Sequence, residues 1–278
     1  TSASLILARR NHRVLHVGCD PKHDSSLVLV KDPNKFKTVV DQIVAGKEDL
    51  EPKDLIMEGI AGIHCVESGG PQAGRGCGGR AVSRSFEIFE EVELVDSDLY
   101  DNVVYDVLGD VVCGGFAAPM RRSAKSKVVV VLSEEMMAAY AANRIAAAVT
   151  QFKSNGIVLA GLIVNLKNNQ ADLTPIIRFA KAINTIILGV IPRDPLVCEA
   201  ELYRKSIIDY APESPVAIEI AAIVDKILSL DRADCTTPTP LPDHKVREIM
   251  RGFVPDMALP TAPAPEKRVS QVTSWSKI

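Results

Sequence analysis

Short apolar runs alternate along the chain with segments of helical periodicity. The runs are apolar over their whole length, which is typical of strands covered on both faces. These predicted strands are Arg13–Val17, Gly62–Val66, Asn102–Leu108, Lys127–Leu132, Ile157–Val164 and Thr185–Ile191. The predicted helices are Val82–Leu94, Glu134–Phe152, Thr174–Ile183, Leu196–Lys205 and Pro215–Leu230. This alternation predicts an α/β fold with a doubly wound, mostly parallel sheet and helices on both faces.

The pattern changes after residue 231, which divides the chain into a predicted domain over 1–231 and a tail over 232–278. The tail contains the proline-rich runs Thr236–Pro242 and Pro260–Pro265. Because proline cannot donate to a strand ladder, such runs are not expected in a sheet. We therefore predict an extended or disordered tail with one short helix near His244–Arg251.

Composition narrows the class of protein. The net charge is −3 over 278 residues and no basic stripe occurs, so nucleic-acid binding is not expected. Apolar runs such as Val128–Leu132 are too short to span a bilayer, and no signal peptide is visible. Six irregularly spaced cysteines favour metal or redox chemistry over disulfides. These features predict a cytoplasmic protein in a reducing compartment.

Polar residues follow several predicted strands at the point where each strand ends. In an open α/β sheet, ligands bind beyond the carboxyl ends of the strands. A single such residue is most often a turn or helix cap, but five strands that each deliver an acid or amide predict a shared ligand site. The residues are Asp20, Glu67, Asp106 with Asp110, Asn165 and Asp194.

The chemistry of these residues predicts a phosphate ligand and a metal ion. Asp106 ends the apolar run that starts at Val103, as the carboxylate of a Walker B element does. The Asp20–Asp24 segment supplies two carboxylates and the ammonium of Lys22 beyond another strand. Such a loop could bind a γ-phosphate and change conformation when the phosphate is released. The alternative for this segment is a solvated turn, because Asp-Pro favours turns.

A glycine-rich phosphate loop of the form G-x-x-x-x-G-K-[ST] should accompany these elements, and no such motif occurs in 1–278. Thr1–Arg10 has small hydroxyl residues followed by an apolar face, which is typical of the helix after such a loop. We therefore expect the chain to start just past the loop, without the first strand and the phosphate-binding lysine.

Two cysteines stand in glycine-rich runs, Cys77 within Gly69–Arg80 and Cys113 before Gly114 and Gly115. Glycines next to a cysteine allow close approach of the backbone, and their N–H groups can bond the sulfur atoms of a cluster. Two cysteines are too few for a Cys₄ site, but a two-fold dimer would supply four. Cys19 and Cys65 are interpreted as core packing, and no spacing indicates metal ligation by Cys198 or Cys235. Among the histidines, His23 alone lies in the candidate switch loop.

Several motifs together resemble the nitrogenase iron protein (dinitrogenase reductase) family. The resemblance runs in order from Thr1 to about Leu230, and the Asp-Val-Leu-Gly-Asp-Val-Val-Cys-Gly-Gly-Phe run is its most specific part. The motifs that carry it are Gly18–Lys22, Cys65–Pro71, Gly76–Arg80, Asp106–Ala117, Glu135–Asn143 and Ile191–Asp194.

The resemblance implies a homodimeric, ATP-dependent electron donor with a P-loop NTPase-like fold. Cys77 and Cys113 match the ligands of one [4Fe–4S] cluster shared by two chains. Asp20, Lys22, Asp106 and Asp110 match the catalytic and switch residues around Mg²⁺ and the γ-phosphate. Because Cys113 lies seven positions after Asp106, movement at the nucleotide should reach the cluster.

Further positions follow from the same resemblance. Asn165, Pro192, Arg193 and Asp194 match residues around the nucleotide base. Arg80 matches an arginine that some members carry ADP-ribosylated on the face that docks the partner. The implied partners are a nitrogenase or nitrogenase-like catalytic component and reduced ferredoxin or flavodoxin as the electron source, with no nucleic acid and no membrane.

Other functions remain open from the sequence. Pro71–Gly79 and Ala117–Pro119 resemble chlorophyllide and protochlorophyllide reductase iron proteins, which favours tetrapyrrole reduction as an alternative. A partitioning-type positioning ATPase would share the fold but would not need the glycine-flanked cysteines. A non-catalytic remnant is a third alternative, because the chain has no phosphate-loop lysine.

Overall fold

The computed structural model describes residues 1–47, 49–71, 76–95, 98–109, 117–122 and 126–251. Its strands are β1 Val14–Gly18, β2 Met57–Glu58, β3 His64–Glu67, β4 Asn102–Asp106, β5 Lys127–Leu132, β6 Val158–Asn165 and β7 Ile187–Ile191. Its α-helices are α1 Ser2–Arg9, α2 Val39–Val44, α3 Pro52–Leu55, α4 Gly78–Glu91, α5 Ala118–Arg122, α6 Met136–Gln151, α7 Thr174–Ala182, α8 Pro195–Leu202, α9 Ile207–Tyr210, α10 Pro215–Ser229 and α11 Asp243–Met250. The main predicted strands and helices are therefore all present, with ends shifted by a few residues.

The strands form two hydrogen-bonded sheets. The first has the order β2-β3-β1-β4 and the second the order β5-β6-β7. β1 is parallel to β3 and β4, and β6 is parallel to β5 and β7, whereas the short β2 is antiparallel to β3. The α/β class with mostly parallel strands is thus confirmed. We expected one sheet, but among the described residues no strand pairing joins β4 to β5, so the strands form two sheets.

Helices cover the sheets and join them. α1 packs against β1 and α10, and α10 also packs against β7, so these two helices connect the sheets. Phe86 of α4 belongs to the same buried core as Leu15 and Val17 of β1. In the second sheet, Leu162 of β6 and Phe179 of α7 belong to one buried core. The apolar strands and the apolar helix faces therefore supply the cores that hold the strand ends in place.

The segment after residue 231 packs against the second sheet as far as Arg251. Thr236 forms a bridge with Leu159 of β6, and its N–H and C=O groups both bond that residue. In α11, Val246 is fully buried, and the helix packs on α6 and α7. The predicted short helix is present, and the proline-rich run before it lies on the core rather than apart from it.

Within the described residues, no helix is both long enough and apolar enough to cross a bilayer.

Candidate functional site

The loop after β1 carries the first group of predicted site residues. Asp20 is 7% exposed, and its Oδ1 accepts the Lys22 N–H at 2.8 Å. Lys22 Nζ lies 3.3 Å from Asp20 Oδ2 and 3.4 Å from Asp24 Oδ2. The hydrogen bond with Asp20 raises the pKa of the exposed Lys22 ammonium. The loop thus presents one cation and two carboxylates, one of them buried, at the carboxyl end of β1.

Asp106 lies beside this loop at the end of the neighbouring strand. In the parallel register, Gly18 stands opposite Asp106, and the Cys19 N–H donates to the Asp106 carbonyl at 2.8 Å. The Ser25 hydroxyl donates to Asp106 Oδ2. The side chain of Asp106 remains 47% exposed. It therefore combines a fixed position with access to a ligand.

Glu67 ends β3 and is buried between the same elements. Its Oε1 accepts the N–H of Ser26 at 2.7 Å and the Ser26 hydroxyl at 2.6 Å. Its Oε2 has no hydrogen-bond partner among the described residues, and burial raises the pKa of the carboxyl group. A side chain at Gly18 would collide with this carboxylate, so glycine is required where β1 passes it. Glu67 thereby anchors the end of the loop that begins at Asp20.

Cys77 lies close to this loop although it is distant in sequence. It precedes the first residue of α4, and its side chain is exposed. A Cβ added to Gly78 would lie 2.6 Å from Pro21 Cγ, and one added to Gly70 would lie 2.5 Å from Pro21 Cβ. These two glycines let the segment around Cys77 pack directly on Pro21. The structure thus brings the cysteine segment and the Asp20–Asp24 loop into contact.

Two predicted residues, Asp110 and Cys113, lie outside the described residues. Arg80 is exposed on the first turn of α4. Within the described ranges, no group of three or more His, Cys, Asp or Glu side chains converges as a metal site. A four-ligand cluster would therefore need ligands beyond those of the described part of one chain.

The remaining predicted residues form a second group at the carboxyl end of the second sheet. Asn165 is the exposed last residue of β6 and stands opposite Ile191, immediately before Pro192. The Arg193 N–H donates to Asn169 Oδ1 at 2.7 Å, and Asn169 Nδ2 donates to the Arg193 carbonyl at 2.9 Å. Asp194 caps α8 through the Leu196 N–H. Asn165 and the Pro192–Asp194 turn therefore lie side by side.

The other described cysteines are not arranged as cluster ligands. Cys19 and Cys65 are fully buried, and burial raises the pKa of the Cys65 thiol to about 12 and that of Cys19 still further. The predicted packing role of these two residues is confirmed. Cys198 is exposed on α8.

Three polar residues of the site had no signal in the sequence. His16 lies in the middle of β1, where the apolar pattern indicates packing alone, yet it bonds Ser4 of α1 and Ser25 of the loop. Ser25 in turn bonds Asp106. Ser4 belongs to an otherwise mostly apolar helix, and Ser25 stands in a run of two serines after an aspartate, which is common in turns. The hydroxyl of neither residue could be assigned a role without the tertiary structure.

Solved structures share the fold. The cell division ATPase MinD of Pyrococcus furiosus superposes with a TM-score of 0.64 at 21% identity, covering 83% of this chain and 91% of that chain. A ParA family ATPase from Chlorobium tepidum has a TM-score of 0.59 at 15% identity, with coverage of 83% and 90%. Cobyrinic acid a,c-diamide synthase from Mycobacterium smegmatis, solved with ADP and magnesium, has a TM-score of 0.54 at 20% identity, with coverage of 82% and 86%.

The sequence itself matches one family over most of its length. The match covers residues 1–254 and extends past Leu230, where the resemblance described from the sequence ends, through α11. It includes both glycine-flanked cysteines, the loop after β1 and the strand end at Asp106. The chain therefore belongs to the family described as 4Fe-4S iron sulfur cluster binding proteins, NifH/frxC family.

Proposed function

We propose that this protein is an ATP-hydrolysing electron donor that acts as a homodimer and passes single electrons to a nitrogenase or nitrogenase-like catalytic component. The observation that carries the proposal is the contact of Pro21 with Gly78. It joins the loop that holds Asp20 and Lys22 to the residue that follows Cys77. A protein that couples nucleotide hydrolysis to electron transfer needs a physical link between the two sites.

The described part of the chain offers one of the four cysteine ligands that a [4Fe–4S] cluster needs. Cys77 is exposed at the amino end of α4, and the glycines beside it allow a cluster to approach the backbone closely. Cys77 and Cys113 of each chain would hold the cluster at the two-fold axis. Bound there, the cluster would accept and release one electron at a time.

The strand ends fit a magnesium nucleotide. The carboxylates of Asp20 and Asp106 are oxygen donors of the kind that Mg²⁺ prefers, and Lys22 supplies an ammonium for the γ-phosphate. Asp110 would join them as the second switch carboxylate. Asn165 and the Pro192–Asp194 turn would contact the nucleotide base.

The partner chemistry follows from the same assignment. Reduced ferredoxin or flavodoxin would supply the electrons, and the exposed Arg80 would lie on the face that docks the catalytic component. A component for tetrapyrrole reduction remains an alternative acceptor. The fold likeness to MinD and ParA leaves a positioning ATPase as an alternative of another class, and the presence of a cluster would discriminate the two.

The test is the iron content of the protein expressed from its complete reading frame and purified without oxygen. We expect about four iron atoms per dimer and their loss in Cys77→Ser. The matched control is Cys198→Ser, which changes another exposed cysteine and should leave the iron content unchanged. Iron retained in both Cys77→Ser and Cys113→Ser would refute the assignment.

A further inference from the structure

His16 is a fully buried polar residue in the middle of an otherwise apolar strand. Its side chain is 0% exposed, and burial lowers the pKa of its imidazole to about 3. The ring is therefore neutral near pH 7, with one nitrogen that donates and one that accepts. Both nitrogens have partners. Nδ1 lies 2.9 Å from Ser4 Oγ and Nε2 lies 2.8 Å from Ser25 Oγ.

The direction of these hydrogen bonds follows from the Asp106 carboxylate, at which the series of bonds ends. The Ser25 hydroxyl has one proton and donates it to the Asp106 carboxylate, which can only accept. Ser25 Oγ must then accept from His16, so the proton of the neutral ring is on Nε2. Nδ1 is consequently an acceptor, and the Ser4 hydroxyl donates to it. The four groups form one directed chain: Ser4, His16, Ser25, Asp106.

We propose that His16 is a positioning residue for the Asp106 carboxylate and acts through the Ser25 hydroxyl. This inference rests on the proposed function, in which Asp106 serves nucleotide hydrolysis. The chain joins α1, β1, the loop after β1 and the end of β4. It selects one rotamer of the Ser25 hydroxyl and holds the carboxylate in one orientation before a nucleotide binds. Such preorganisation raises the rate of the chemical step more than it raises substrate affinity.

Two substitutions of His16 separate positioning from packing. His16→Gln carries an amide N–H at about the reach of Nε2 and can still donate to Ser25. His16→Asn carries an amide oxygen at the position of Nδ1, so it keeps the bond to Ser4 but cannot reach Ser25. Both variants leave unfilled space in the core and should lower the unfolding midpoint.

The first measurement is steady-state MgATP hydrolysis by the complete protein, well below the unfolding midpoint of every variant. We expect kcat of His16→Asn to fall about tenfold, the effect of one hydrogen bond made in the transition state. KM should change by less than about twofold, and His16→Gln should recover most of kcat. The control is His64→Gln, because His64 is a half-buried histidine of the adjacent β3 whose side-chain hydrogen bond among the described residues is to Tyr100, at 2.7 Å. Equal kcat in the Asn and Gln variants would overturn the positioning role.

The second measurement is the nitrogen-15 NMR spectrum of protein labelled at histidine, which does not depend on hydrolysis. The wild type should show His16 as the neutral tautomer protonated on Nε2. Ser4→Ala removes the donor to Nδ1 and should shift the tautomer balance toward protonation on Nδ1. A wild-type ring protonated on Nδ1 would refute the proposed hydrogen-bond chain even if hydrolysis is normal. A wild type without MgATP hydrolysis would instead refute the proposed function. The tautomer of His16 would still test the hydrogen-bond chain in that case.

Discussion

Pro21 lies against Gly78, and this contact joins the loop after β1 to the first turn of α4. A Cβ on Gly78 would lie 2.6 Å from Pro21 Cγ and 3.3 Å from Pro21 Cβ. The first distance is too short for two non-bonded carbon atoms, so residue 78 must be glycine while Pro21 keeps its place. The contact is rigid on both sides, because the proline ring fixes its own backbone and the glycine belongs to a helix.

We expect Gly78→Ala to displace the loop and weaken coupling between nucleotide and cluster. The measurement is the rate at which a ferrous chelator removes iron, with and without MgATP. The ratio of the two rates should fall toward one in Gly78→Ala. Pro21→Ala removes the Cγ atom that the new methyl group would meet, so the double variant should regain part of the ratio. A ratio in Gly78→Ala equal to that of the wild type would show that the contact carries no coupling.

Asp106→Asn should nearly abolish MgATP hydrolysis. Asparagine can still accept from Ser25 but lacks the negative charge that the proposed magnesium site needs, so kcat should fall at least about a hundredfold. The matched control is Asp101→Asn. Asp101 immediately precedes β4 at its amino end and bonds the Arg13 guanidinium, so hydrolysis should persist. A similar loss in both variants would indicate general damage to β4 rather than a role for Asp106.

The sequence predicted the strands and the residues at their carboxyl ends because both depend on local order. An apolar run fixes a strand, and the parallel arrangement fixes which of its ends carries the site. It did not predict that α4 begins at Gly78, four residues before the expected Val82, because glycine has a low helix propensity. At position 78 the contact with Pro21 requires glycine, and the helix begins at this residue in spite of its low helix propensity. The hydrogen bonds of His16 could not be predicted from the sequence either, because they join residues of α1, β1 and the loop after β1.

The packing of α11 yields a prediction about stability. Val246 is fully buried in the core that also contains Phe179 of α7, so Val246→Ala should lower the free energy of unfolding by about 1–3 kcal/mol. The control is Glu248→Ala on the exposed side of the same helix, where Glu248 pairs with the exposed Lys245 and the change should be within about 0.5 kcal/mol. Urea unfolding measures both. No difference between the two variants would mean that α11 does not stabilise the domain.

His16 should make stability depend on pH in the acid range. Burial lowers its pKa to about 3 in the folded protein, whereas a histidine in the unfolded chain titrates near about 6.5. Between these values the unfolded chain binds a proton that the folded protein does not, so the free energy of unfolding rises with pH. The contribution is complete above about pH 6.5 and is lost as the pH falls.

His16→Gln has no such proton, so the difference between the two proteins isolates this effect. From about pH 6 downward, the wild type should lose about 1.4 kcal/mol per pH unit relative to the variant. The Asp106 carboxylate is the charged side chain that acts on the ring, and Glu67, whose pKa is raised, is common to both proteins. Urea unfolding between about pH 4.5 and 7.5 gives the difference. Parallel pH profiles for wild type and variant would mean that the His16 ring accepts a proton in the folded protein as readily as in the unfolded chain.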